Sequence, residues 1–304
     1  MRNLTCLLIL LLIIASSCNS NPFNQYDENL IYINNLKGKI KSVKSETYRA
    51  TEIFGEAVKE ELATPLFDLS NTLANILSPN STINFAENGK TTSFRDLSYS
   101  LKLTYDKEWN VLEEHFNADN NEIITKFKTV DNKIISSTSF DKELTDNRIS
   151  EFLYEDDLIK EVITKNNEKR TVSKIKFDYE DKKQIQNYYN ELGKLQRKNR
   201  KDIYGKYLEI EIPQKKRILV QYIDQSSFPS EMLRYEDNQI VGKLEITLDD
   251  HKNISEIKDI DIRGKDETLY KYTYKYDKHG NWIERIKHEN GNLKYITERT
   301  IEYY

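Results

Sequence analysis

Four tyrosines at alternate positions, Tyr270, Tyr272, Tyr274 and Tyr276, with Trp282 close behind, are the residues of this sequence best suited to hold a ligand. Flat rings stack on sugar faces while their hydroxyls bond at the rim, so Tyr270, Tyr272, Tyr274 and Trp282 form a candidate stacking surface. Packing is the competing reading, because aromatic residues on one face of an antiparallel strand form cross-strand pairs worth roughly 0.2–1 kcal/mol each. The acid pairs Asp259/Asp261 and Glu113/Glu114 have the residue types for glycosidic hydrolysis, which needs two carboxylates at a fixed separation. With 50 acidic residues such pairs also arise by chance. Asp259 and Asp261 alternate with Ile260 and Ile262, the pattern of a wet strand face over a buried one. The histidines His115, His251, His279 and His288 sit in or beside predicted turns, and no two share a metal-binding spacing. No phosphate loop, zinc spacing, nucleophile elbow or calcium loop is present. The sequence therefore assigns no catalytic residue, cofactor or metal ligand, which weighs against an enzyme while a glycan-active hydrolase stays open.

The elements that must position these residues are strands. From Ser93 onward the apolar period is two, broken by short polar turns. Tyr270 to Tyr276 alternates with Lys271, Thr273 and Lys275, so one face is apolar and the other wet. Asp277-Lys278-His279-Gly280-Asn281 has an acceptor at its start and glycine where positive φ is needed, the chemistry of a tight hairpin with a bulge. Asp131-Asn132-Lys133, Glu155-Asp156-Asp157, Asn190 to Gly193, Glu236-Asp237-Asn238, Asp249 to Asn253 and His288 to Asn292 read as further turns. Asp106-Lys107-Glu108-Trp109-Asn110 resembles the Asp277 turn but puts Trp109 in the glycine position. Positive φ costs a non-glycine residue about 1 kcal/mol, so a different turn type is expected there. A first strand is expected over Lys39 to Arg49. One helix is expected near residues 65–77, where Thr64-Pro65 reads as a cap and Leu66, Leu69, Leu73, Ile76 and Leu77 share a face. The fold class read from these patterns is all-β: an antiparallel meander of hairpins forming an open or partly closed sheet, with one short covering helix.

The chain has 304 residues with 46 basic and 50 acidic side chains, a net charge of −4 that becomes −5 once Arg2 is removed. That balance implies no polycationic face, and nucleic acid is not an expected partner. Twenty tyrosines and eleven phenylalanines fit exposed sheets with aromatic ladders rather than disorder. Arg2, the apolar run Leu7 to Ile14 and the small residues Ala15-Ser16-Ser17 before Cys18 have the three-part form of a secretory signal. With cysteine at the cleavage point the segment resembles a lipobox, which implies that Cys18 becomes the acylated N-terminus. The expected organisation is a signal peptide over 1–17, a lipidated tether over 18–29 and a β domain over 30–304. Cys6 and Cys18 are the only cysteines, so no disulfide is expected in the domain. Membrane association is expected through the N-terminal lipid only.

The run Tyr274-Lys275-Tyr276-Asp277-Lys278-His279-Gly280-Asn281-Trp282-Ile283 resembles a YD repeat of the Rhs type, and weaker copies lie at Tyr105-Asp106 and Tyr189 to Gly193. The chain is similar to small Bacteroidetes-type lipoproteins that carry a few degenerate YD repeats. Trp109 for glycine, the uneven spacing and the segment near Leu66 depart from a regular array. The resemblance implies strand and turn architecture rather than an activity, and an envelope protein that binds or scaffolds a glycan or a protein partner. An immunity or assembly factor engaging a secreted partner stays open beside the hydrolase. Asn19 is not the aspartate that retains lipoproteins at the inner membrane, so the resemblance implies the outer membrane, with its periplasmic and surface faces both open.

Overall fold

The computed structural model describes residues 36–63, 80–96, 99–118, 121–141, 147–181, 183–202, 207–213, 216–222 and 228–304. Cys18 and the segment near residues 65–77 lie outside the described residues. The described residues divide into two compact units, one drawn from Ser98–Lys215 and the other from Leu30–Leu97 with Lys216–Tyr304.

Among the described residues the first unit contains ten strands in chain order, here numbered with those of the second unit from the N-terminus: β5 (Tyr99–Tyr105), β6 (Val111–Ala118), β7 (Asn121–Val130), β8 (Lys133–Asp141), β9 (Arg148–Glu155), β10 (Leu158–Lys165), β11 (Thr171–Glu180), β12 (Lys183–Asn190), β13 (Leu195–Asp202) and β14 (Tyr207–Ile212). Each pairs antiparallel with the next. The second unit holds β1 (Ile40–Ile53), β2 (Glu56–Leu62), β3 (Ser81–Phe85), β4 (Thr91–Arg95), β15 (Lys216–Gln221), β16 (Glu231–Glu236), β17 (Gln239–Leu248), β18 (Ile254–Asp261), β19 (Asp266–Tyr276), β20 (Trp282–Glu289) and β21 (Asn292–Tyr303). Here β15 to β21 pair in succession, and β21 then pairs with β1 from Ile40↔Tyr303 to Arg49↔Tyr295. The other edge of β1 takes β3 over Ser42–Ser45 and β2 over Tyr48–Ile53.

This corrects the expected open or partly closed meander, while the covering helix expected near residues 65–77 falls outside the described residues. A simple meander leaves its first and last strands at free edges, whereas β1 is paired on both sides and β21 lies between β20 and β1. The physical reason is the length of β1: its 14 residues offer one edge to the C-terminal strand and divide the other between two hairpins. Thr47 and Thr297 meet across this seam with hydroxyls 3.0 Å apart. Among the described residues there is no helix.

Alternation decides which face of each strand is buried. Leu103, Phe127, Phe152, Val162, Ile175 and Phe177 belong to one apolar cluster in the first unit. Val220, Met232, Leu244, Ile246, Ile257 and Tyr272 belong to one in the second. Leu36, Ile40, Val43, Ile83 and Phe85 form another beside the seam. The half-buried and exposed positions between them carry cross-strand ion pairs, such as Lys174–Glu161 at 2.9 Å, Lys258–Glu267 at 3.0 Å and Lys275–Glu284 at 2.8 Å.

Two turn geometries recur. Asp131-Asn132, Asp156-Asp157, Asp237-Asn238 and Asn290-Gly291 have positive φ at both central residues, the two-residue hairpin that matches strand twist. The second is a five-residue turn. In Asp277–Asn281 the Asp277 N–H donates to the Asn281 carbonyl at 2.9 Å, the Gly280 N–H donates to the Asp277 carbonyl, and Gly280 sits at φ 78°. Asp249–Asn253 repeats it with Lys252 at φ 67°, and Asp106–Asn110 repeats it with Trp109 at φ 63°. The different turn expected at Trp109 is thus corrected. The Asp106 side chain accepts from the Asn110 N–H at 2.7 Å, and the Trp109 ring packs on Tyr105 at 5.7 Å, contacts that hold the residue in the disfavoured region.

In the Asp249 and Asp277 turns the aspartate and asparagine also receive a tyrosine from a later strand. Tyr276 donates to Asp249 Oδ2 at 2.5 Å and accepts from Asn253. Tyr303 donates to Asp277 Oδ2 and accepts from Asn281 Nδ2 at 2.7 Å. Asn281 further clamps both the N–H and the carbonyl of Lys37, at 2.7 and 2.8 Å, which fixes the entry to β1 on the C-terminal hairpin.

A candidate binding cleft and a buried aromatic face

In the second unit a cleft of about 480 Å³ is lined by β15 to β19 and the turn after β18. Its charged side chains are Lys216, Arg217, Arg234 and Arg263 against Glu236, Asp259, Asp261 and Asp266, with Tyr235 among them. Strand geometry explains the arrangement. Asp259 and Asp261 continue the face that carries Ile257, so as the apolar cluster ends the same row becomes acidic. Arg234 reaches Asp259 at 2.7 Å by lying across Gly242, its cross-strand partner. A Cβ on Gly242 would overlap that guanidinium, 2.8 Å from its Cζ, so only glycine allows this path.

The remaining groups are held in pairs. Arg263 donates to Glu236 Oε2 at 2.7 Å, and that bond brings the Glu236 carboxyl below its usual range. Asp261 accepts the N–H groups of Gly264 and Arg263, at 3.2 and 3.0 Å, and these hold it ionised. Arg217 lies over the Tyr235 ring at 5.7 Å. A glycosidic general acid needs a raised pKa, and the shift at Asp261 has the opposite sign. What this cleft offers is charge-assisted hydrogen bonding in both directions around one aromatic ring.

The structure brings both members of the Asp259/Asp261 pair into this cleft. Glu113 and Glu114 it separates, because consecutive strand residues face opposite ways. Glu113 meets His115 at 3.3 Å and Lys126 at 3.5 Å, whereas Glu114 is 2% exposed, with Oε2 lacking a hydrogen-bond partner and burial raising its pKa to about 8. His251 stacks on Tyr276 at 3.9 Å and His279 packs on Tyr303 at 4.2 Å. Among the described residues no group of three His, Cys, Asp or Glu is placed to hold a metal.

The aromatic stripe lies elsewhere on the same unit. Tyr272 is 4% exposed and Trp282 6% exposed, while Tyr270 and Tyr274 are half-buried against the apolar cluster. Tyr274 donates to the Ile254 carbonyl at 2.6 Å, and burial pushes its pKa to about 12. Cations cover the rings. The Arg299 guanidinium carbon is 3.4 Å and that of Arg285 5.2 Å from the Trp282 centroid, and Lys287 is 4.4 Å from the Tyr270 centroid.

Arg217, Arg234, Tyr235, Glu236 and Arg263 carry no sequence motif. The one signal pointing to them was Gly242, an isolated glycine in the alternating run Ile240 to Leu248, which marks a close approach to the backbone.

No family model matches this chain, and no curated protein matches it. Among solved structures, a porin-like protein from Bacteroides uniformis overlaps 88% of this chain and 98% of its own, at 13% identity and a TM-score of 0.35. A porin-like protein from Bacteroides vulgatus overlaps 85% and 98%, at 10% identity and 0.25. A TcdB2-TccC3-Cdc42 structure overlaps 84% of this chain but 19% of its own, at 10% identity and 0.24. At these scores the overlaps carry no argument about what this chain does.

Proposed function

We propose that this is a lipid-anchored envelope protein whose β domain stays outside the bilayer and binds a charged glycan in the cleft of β15 to β19. The observation that carries the binding reading is the cleft itself: four cations and four carboxylates converge on about 480 Å³ around Tyr235. Sugars bearing carboxylate or sulfate present the complementary mixture of hydroxyls and anionic groups.

Placement outside the bilayer is supported by the ion pairs on the exposed strand faces, Lys41–Glu302 and Lys258–Glu267 among them. A lysine or arginine facing lipid at mid-bilayer costs about 2–4 kcal/mol, so strands with such faces favour water. The lipobox-like segment ending at Cys18 supplies the anchor, with the outer membrane as its proposed destination. Replacing Cys18 with Ser is expected to move the protein to the soluble fraction, and continued membrane fractionation would count against anchoring. The recurrent Asp–Asn–Tyr turns support the resemblance to YD repeats.

The test of binding is a glycan array probed with the full chain and with Arg217→Ala and Tyr235→Ala. Loss of binding in variants that melt like the parent supports the cleft, and no binding by the parent argues against it. A protein partner is the second reading, favoured by the β1–β2 hairpin, where Phe54 is fully exposed at the tip and every residue of β2 is exposed.

A further inference from the structure

Burial removes water from the Arg299 side chain, which is 7% exposed, and its Nε and Nη1 have no hydrogen-bond partner. A guanidinium in protein does not shed its proton, so these donors stay charged and unmet. The Trp282 ring covers one face of the group at 3.4 Å and attracts it, but a ring accepts no directed N–H bond from the edge. Beside it, the Arg285 guanidinium shares the Trp282 ring and donates to Thr297 Oγ1 at 3.3 Å. Burial and then the Arg285 charge both disfavour the Arg299 cation, with only the Tyr274 phenol acting the other way.

Across the seam, Ser45 is the register partner of Arg299, is likewise buried, and its Oγ also lacks a hydrogen-bond partner. A hydroxyl can turn its proton toward an acceptor. Two donor side chains without acceptors therefore face each other across paired strands, next to a second guanidinium.

We propose that the inner face of the β1–β21–β20 seam binds a compact inorganic anion, chloride in size, between Arg299 and Ser45. The burial of Arg299, Ser45 and Thr297 argues for a small ion over an organic acid. Such an ion accepts from Arg299 and Ser45 and offsets the repulsion between Arg299 and Arg285. The role is structural: the anion completes the seam that joins the first strand to the last.

The experiment is thermal melting of the purified full chain in detergent, at constant ionic strength, as sodium gluconate is exchanged for sodium chloride. Gluconate is too large for the site. The parent is expected to show a saturable rise in Tm with chloride, which Arg299→Met abolishes and Arg299→Lys partly keeps. Equal Tm for the parent in both salts, or the same chloride response in Arg299→Met, would overturn the proposal. Should Arg299→Met fail to fold, crystals of the parent grown with sodium bromide decide the matter. An anomalous peak within hydrogen-bonding distance of Arg299 and Ser45 supports the site, and its absence overturns it.

Discussion

Two regions of the second unit concentrate arginine and tyrosine, and they use them in opposite ways. Around Trp282 the cations lie under buried rings, and Arg299 keeps donors that nothing accepts. In the cleft the cations meet carboxylates, Arg234 with Asp259 and Arg263 with Glu236, at a surface open to water. Residue type alone therefore does not mark a binding surface. A ring that packs a buried guanidinium is committed to the fold, whereas an ion pair lining a cleft can exchange its partner for a ligand at modest cost.

The widest separation between the two regions is expected from Trp282→Ala. Removing a buried tryptophan costs about 3–5 kcal/mol, so this variant should lower the denaturation midpoint steeply, where Tyr235→Ala in the cleft leaves it nearly unchanged. A buried ionisable group of the first unit, Glu114, extends the comparison to an acid. Its folded pKa of about 8 lies above the ordinary 4.5, so the folded state keeps a proton that the unfolded chain has lost. Stability should accordingly fall as pH rises from about 4.5 to 8 and level off above. Glu114→Gln should flatten that slope and add on the order of 3 kcal/mol at pH 8.5 in urea titrations.

Asn281→Ala removes three hydrogen bonds, to the Lys37 N–H, the Lys37 carbonyl and the Tyr303 hydroxyl. The expected loss is roughly 2 kcal/mol, and hydrogen exchange should show the start of β1 loosening first. Gly242→Ala displaces the Arg234 guanidinium from Asp259 and should weaken glycan binding, with destabilisation held to about 1 kcal/mol or less because that group can swing aside, which calorimetry would read together. The smallest effect lies in the paired turns. Gly280→Val should cost about 1 kcal/mol in melting, while Trp109→Gly should gain less than that, because it relieves positive φ but loses the Tyr105 contact.

How far these features could be read from sequence depends on how local they are. The Asp277–Asn281 turn is written in five adjacent residues, and the stripe Tyr270 to Tyr276 in seven. Which side of the stripe met the protein was legible from its alternation with Lys271, Thr273 and Lys275, but not that Arg285 and Arg299 would cover it. The seam was illegible because Thr47 and Thr297 are 250 positions apart, and no periodicity reports a partner at that distance. The cleft draws on five elements, so only Asp259, Asp261 and Gly242 left a trace. Trp109 misled because the penalty for positive φ was visible in sequence while the contacts that offset it were not.

The most direct test sets the two regions against each other in one assay: glycan-array binding and Tm for the parent, Arg217→Ala and Trp282→Phe. Arg217→Ala is expected to lose binding at unchanged Tm, while Trp282→Phe melts lower and, below its transition, binds as the parent does. Parental binding by Arg217→Ala together with loss of binding in folded Trp282→Phe would contradict it and return the site to the aromatic stripe.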